Sequence, residues 1–205
     1  MVQANACYAV FQRSVDDYHR FDNIDAAIQN PFPADSLEHM LYAKNWIDTV
    51  QWHLEDLIRN PDIDPVEGMQ LKRRIDTSNQ KRTDMVERID DYFVQEFAGV
   101  IPVPGARINS ETPAWLLDRM SILVLKIYHM DEQVHRTDAD ERHRQQCAAK
   151  LNILMEQKED MRQAFDELLE DISKGVRRFK VYRQMKMYND ASLNPVLYGK
   201  GSSRG

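Results

Sequence analysis

Apolar residues recur along this chain at intervals of three and four, the spacing of one helix face, and nowhere with the alternation of a half-buried strand. The pattern predicts helices over about 4–20, 35–59, 65–97, 113–136 and 139–188, with a break allowed near Ser173-Lys174-Gly175. Prolines and glycines cluster between them, at Pro31/Pro33, at Pro61/Pro65 and from Gly99 to Pro113. Asp35 with Glu38, Asp64 with Glu67 and Asp138 with Glu141 each set an acid three residues after a capping acid, as in a capping box. Pro65 and Pro113 fall at first helical positions, where a missing N–H costs little. The segment GVIPVPGARINSE at 99–111 is a long loop. Long helices joined by mostly short turns predict an all-α antiparallel bundle of about five helices. A single domain over 1–205 is expected, irregular from about 190 onwards.

The faces of these helices carry the unusual residues. WLLDRMSILVLKIYHMDEQ at 115–133 is apolar almost all the way round, so it is expected to be buried. Yet Asp118, Arg119, Lys126, His129 and Gln133 share an arc of roughly 100°. On the second helix, Met40, Ala43, Trp46, Ile47, Val50, Leu54, Leu57 and Ile58 form the expected core stripe. Trp52 lies opposite, beside Asn45, Asp48 and Asp56, and covers either a second packing surface or a ligand. His53 sits at the edge of the stripe. The third helix places Ser78, Asn79 and Arg82 inside the arc of Leu71, Ile75, Met85, Val86, Ile89 and Phe93. An arginine in an apolar seam needs an acid or an anion, because an unpaired buried charge costs several kcal/mol.

Three accounts of that seam are open. In the first, Asp48, Glu55 or Asp56 closes a structural ion network with the cations. In the second, Arg82, Arg119 and Lys126, with Asn79, Trp52 and Asp56, grip a phosphate or carboxylate, and His53 or His129 moves a proton. The third is a metal site, since His53-x-x-Asp56 and His129-x-x-Glu132 pair ligands on one face. The order is the reverse of the Glu-x-x-His spacing of carboxylate-bridged metals, and Arg119 and Lys126 would repel a cation. No metal ligand is therefore assigned and no cofactor is expected. Glu87-x-x-Asp90 and Glu156-x-x-Glu159 offer paired acids to a metal-dependent hydrolase, but on faces that point to solvent. No phosphate-binding glycine loop or nucleophile elbow is present.

Composition narrows the class further. Hydrophobic residues at 42% and charged residues at 29% describe a globular chain, and a net charge of −6 disfavours nucleic acid as a partner. Cys7 and Cys147 form no metal or redox motif, which fits a reducing compartment. MVQANACYAVFQRS is a poor signal peptide, and no apolar run reaches the length of a membrane span, so a cytoplasmic location is expected. Near the end, Lys174, Arg177, Arg178, Lys180, Arg183 and Lys186 follow an acidic stretch, with Phe179, Tyr182, Met185, Met187 and Tyr188 between them. They read as a helix end suited to the dipole, or as a docking face for an acidic partner.

NWIDTVQWHLEDLIR at 45–59, DPVEGMQLKRRIDTSNQKRTDM at 64–85, SETPAWLLDRMSILVLKIYHMDEQ at 110–133 and KVYRQMKMYNDASLNPVLYGK at 180–200 resemble a bacterial family of unknown function, domain-of-unknown-function family 4254. The resemblance implies an all-helical fold and carries no assigned reaction. It also implies a link to lipopolysaccharide or other surface-glycan synthesis, where donors and lipid acceptors carry phosphates. The expected function is an accessory protein of that synthesis, binding a sugar phosphate, nucleotide sugar or other anion between helices. The alternatives are a non-catalytic helical partner of a glycosyltransferase, with a purely structural ion network, and a metal-dependent bundle hydrolase.

Overall fold

A computed structural model of the chain describes residues 2–185, 187 and 190–199. Among them run six helices: α1 (Ala4–His19), α2 (Leu37–Leu57), α3 (Pro65–Glu96), α4 (Pro113–His135), α5 (Glu141–Ser173) and the single turn α6 (Pro195–Tyr198). The class is all-α, as the spacing predicts. No helix is long and apolar enough to cross a membrane.

The helix starts follow from capping chemistry. Asp64 accepts from the N–H groups of Val66 and Glu67, and Pro65 is the first residue of α3. Thr112 accepts from the Trp115 N–H and is followed by Pro113. Two caps lie elsewhere than the acid spacing indicates. Ser36 rather than Asp35 caps α2, and Asp140 rather than Asp138 caps α5, accepting from His143. Asp138 instead pairs with Arg136 at 2.7 Å, which holds its carboxyl down at about 2.

α5 ends at Ser173, at the break allowed near Ser173-Lys174-Gly175, and does not run on to 188. The Lys174 N–H donates to the Glu170 carbonyl, and the Val176 N–H reaches back to Asp171. Between them Gly175 takes φ of +71°, the left-handed conformation in which glycine closes a helix end. A Cβ there would lie 2.7 Å from the Ile101 carbonyl oxygen. The chain then pairs in parallel with the long loop, β1 (Arg107–Ile108) against β2 (Arg177–Arg178), a two-residue bridge that the alternation pattern does not announce. The basic segment is thus extended, not helical. Arg177 bonds Asp171 and Asn109, and Arg183 bonds Asp91 at 2.5 Å on α3. Lys186, Tyr188 and 200–205 lie outside the described residues.

α4 packs on α5, α2 on α3, and α1 against α2, α4 and α5. Phe11, Tyr42, Phe93, Met120 and Phe165 are fully buried where these helices meet. Each such side chain contributes about 1.5–3 kcal/mol by leaving water. α2 is enclosed on more than its expected face. Of the expected stripe Trp46 and Leu54 are buried, Ala43, Ile47 and Val50 are half-buried along a groove facing α3, and Leu57 is 47% exposed. The polar side is enclosed as well, with Lys44, Asn45, Asp48 and Thr49 among the deepest residues. That second enclosed face is stable only because its charges are paired.

Candidate functional site

The enclosed polar side holds a four-charge network. Lys44, only 1% exposed, pairs with Asp48 and with Asp118 Oδ1, the latter at 2.5 Å. From α3, Arg82 Nε donates to Asp48 Oδ1 at 2.6 Å and Nη2 donates to Asp118 Oδ1 at 3.3 Å. Burial is the largest single influence on the Arg82 guanidinium and pulls its pKa down, but Asp48 and Asp118 together outweigh it and hold the pKa above its ordinary value. Ser121 Oγ donates to Asp48 Oδ2 at 2.6 Å and accepts from Asn45 Nδ2 at 3.0 Å. Beside it, Ser78 donates to Gln51, and Gln51 donates to Asn79 at 2.8 Å.

Two cations thus face two acids, and the count closes. The cation-rich seam read from the sequence is corrected in two places. Arg119 points away to an exposed pair with Glu111 at 3.2 Å, and Lys126 is exposed on the far half of α4. Lys44, which the stripe reading leaves unnoticed, takes their place. Its one sequence signal is its spacing of four from Asp48, a common surface arrangement.

Three hollows lie along α2, one of them bordered by Asp48 and Arg82 of the network. The largest, about 560 Å³, is the groove between α2 and α3, floored by Trp46, Ile47 and Val50 and rimmed by Arg73, Arg74 and Lys81, with no acid in its lining. Arg74 pairs with Asp25, whereas Arg73 and Lys81 make no ion pair among the described residues. A second cleft of about 380 Å³ holds Trp52, Glu55, Asp56, Arg59 and Arg82. A third of about 410 Å³ holds Trp52, Asp56, Lys126 and His129. Trp52 and Asp56 belong to both, so most of the residues singled out in the sequence border one divided cleft.

Behind Trp52, His53 and His129 meet a third histidine, His19 at the end of α1. One ring nitrogen from each lies within 4.8 Å of the others. His53 Nε2 stands 3.3 Å from His19 Nε2. His19 Nδ1 lies 2.8 Å from the Val15 carbonyl, and His129 Nδ1 lies 2.8 Å from Glu132 Oε2. Both acceptors require N–H at Nδ1, so in the neutral ring the lone pair lies at Nε2, where His19 accepts from His53. The Nε2 of His129 is buried without a hydrogen-bond partner among the described residues. Burial, then the two neighbouring imidazoles, pushes the His53 pKa down, so this ring is neutral near pH 7.

Each imidazole lies flat on an aromatic ring from another helix. His19 stacks on Tyr128 at 4.1 Å, His53 on Tyr18 at 5.1 Å and His129 on Trp52 at 4.9 Å. Tyr18-His19, Trp52-His53 and Tyr128-His129 are consecutive pairs in the chain, the three places where a histidine directly follows an aromatic residue. That repeated dipeptide is the signal by which His19 could have been found. Burial raises the Tyr18 phenol to about 12, so it stays neutral beside His53.

The sequence profile of a family described as a protein of unknown function, DUF4254, matches residues 38–181. The chain belongs to this family. The matched span contains the whole four-charge network, His53 and His129; His19 precedes it. No curated protein and no solved structure matches the chain.

Proposed function

We propose that this protein binds a phosphorylated or otherwise anionic small ligand carrying an apolar portion, as an accessory of surface-glycan or lipopolysaccharide synthesis. The observation that supports the binding reading is the groove between α2 and α3. Its floor is apolar, its rim carries Arg73, Arg74 and Lys81, and its lining contains no acid to repel an anion. A large, mostly apolar hollow with a few polar groups at its edge is the usual form of a small-molecule site. In this reading the anion sits on Arg73, Arg74 and Lys81 rather than on Arg82, whose guanidinium already serves two carboxylates. The glycan assignment rests on the family resemblance alone.

Thermal denaturation in the presence of inorganic phosphate, sugar phosphates, nucleotide sugars and a long-chain alkyl phosphate tests the reading. The alkyl phosphate should raise the melting temperature more than phosphate alone, and the effect should vanish in Arg73→Ala/Lys81→Ala. A shift unchanged in that double variant would move the site elsewhere. If no compound shifts the wild type, a second reading gains: a non-catalytic partner of a glycosyltransferase. The closed charge count of the buried network supports that reading, since it leaves Arg82 no unanswered charge to offer a ligand. Co-purification with the transferase would then be the measurement.

A further inference from the structure

We propose that His19, His53 and His129 form a binding site for one divalent transition-metal ion, of which Zn(II) is the natural occupant by donor chemistry. The site rests on the imidazoles alone and stands or falls apart from the anion reading. Three neutral imidazoles are a borderline donor set, suited to Zn(II), Co(II), Ni(II) or Cu(II) rather than to Mg(II) or Ca(II). Three protein ligands with an open fourth position describe the catalytic form of zinc site rather than the structural one.

The geometry is already close. Nitrogens bound to one tetrahedral Zn(II), with bonds of about 2.0–2.1 Å, stand roughly 3.3–3.4 Å apart. The His19 and His53 nitrogens stand 3.3 Å apart, and the widest separation within the trio does not exceed 4.8 Å. A small swing of the His129 ring closes the set. Hydrogen bonding has fixed two of the three tautomers in advance: Val15 and Glu132 hold the Nδ1 hydrogens of His19 and His129, the orienting contacts typical around metal-bound imidazoles. Loading asks only that the proton between His53 and His19 move to His53 Nδ1, so no proton need be lost. It also supplies a partner to the His129 Nε2 that otherwise has none. The stacked rings of Tyr128, Tyr18 and Trp52 hold each imidazole in plane, lowering the entropy lost on coordination. Asp22 and Asp56 add negative potential at His53. The reverse-order His-x-x-acid pairs are therefore not the ligands themselves; in one of them Glu132 orients its histidine.

Zn(II) and Co(II) titration of the full chain, without a polyhistidine tag, followed by calorimetry and by Co(II) visible absorption, tests the site. One equivalent should bind, with the intense absorption of tetrahedral cobalt. Glu132→Gln should weaken binding by about 10–100-fold. His19→Asn, His53→Gln and His129→Asn should each weaken it further, while His143→Gln leaves it unchanged. Circular dichroism reports whether each variant is folded. Should the histidine variants unfold, X-ray absorption of the zinc-loaded wild type decides, with three imidazole ligands expected and fewer than three overturning the site. Binding that survives His19→Asn, is equally lost in His143→Gln, or never reaches one equivalent would also overturn it.

Discussion

Lys44→Met probes the buried network most directly. The lysine side chain is 1% exposed and its partner Asp48 is fully enclosed, so no water can replace the ammonium. Methionine fills most of the aliphatic stem, which keeps a cavity from adding to the loss. What remains is two carboxylates sharing Arg82, one uncompensated negative charge in a site where Asp118 is 15% and Arg82 25% exposed. Breaking a buried pair by removing one partner costs about 3–5 kcal/mol. For a domain of this size, 1 kcal/mol moves the melting temperature by roughly 2–4 °C, so Lys44→Met should melt about 6–20 °C lower. Asp118→Asn in the same chain restores the balance, leaving Arg82 with Asp48, the pair separated by 2.6 Å. The double variant should recover at least half of the loss, a coupling read from a double-mutant cycle in urea. A Lys44→Met loss below about 1 kcal/mol, or a double variant destabilised by the sum of the single losses, would refute the closed-network account.

Ser121→Ala removes the hydroxyl between Asn45 and Asp48, and should cost about 1–3 kcal/mol in urea unfolding because both buried partners lose a bond. Gly175→Ala should cost on the order of 1–3 kcal/mol, since its Cβ meets the Ile101 carbonyl and its φ is left-handed. Wild-type stability in that variant would mean the loop beside α5 yields freely. Asp90 is buried, receives a hydrogen bond from the Thr112 side chain, and has one carboxylate oxygen without a partner among the described residues. Burial raises its pKa above the ordinary 3.8, so its contribution to stability is full below that value and is lost as the pH rises through the folded one. Asp90→Asn should therefore melt higher than wild type at pH 7, with the gain fading on acidification toward pH 3.8. A gain independent of pH would point to packing instead.

The all-α class and the beginnings of α3 and α4 are readable because local chemistry decides them: Asp64-Pro65 and Thr112-Pro113 leave the backbone few other choices. The end of α5 falls at the break allowed near Ser173-Lys174-Gly175, where Gly175 takes the left-handed turn, and not at the end of the basic run. The orientation of α2 is harder, because both of its faces are covered. Apolar spacing identifies the stripe over Ala43, Ile47 and Val50, but only partners on α3 and α4 explain how Lys44 and Asp48 can be enclosed. Arg82's need for an acid follows from the sequence, and Asp48 is among the acids it names. Arg119 shares an arc with Asp118, yet its longer reach takes it to Glu111 in the loop before the helix. His53 and His129 stand out by type, whereas the one sequence signal for His19 is the repeated aromatic–histidine dipeptide, whose meaning the registers of three helices supply.

The three stacked pairs close into a loop: α1 lends Tyr18 to His53 of α2, α2 lends Trp52 to His129 of α4, and α4 lends Tyr128 back to His19 of α1. Each aromatic–histidine dipeptide both clamps and is clamped. A slip of any one helix by a single residue disengages two stacks together, so the arrangement acts as an interlock on register rather than as three separate contacts. Trp52 belongs to that interlock, and its emission can report, without a label, the state of the ring on which it lies.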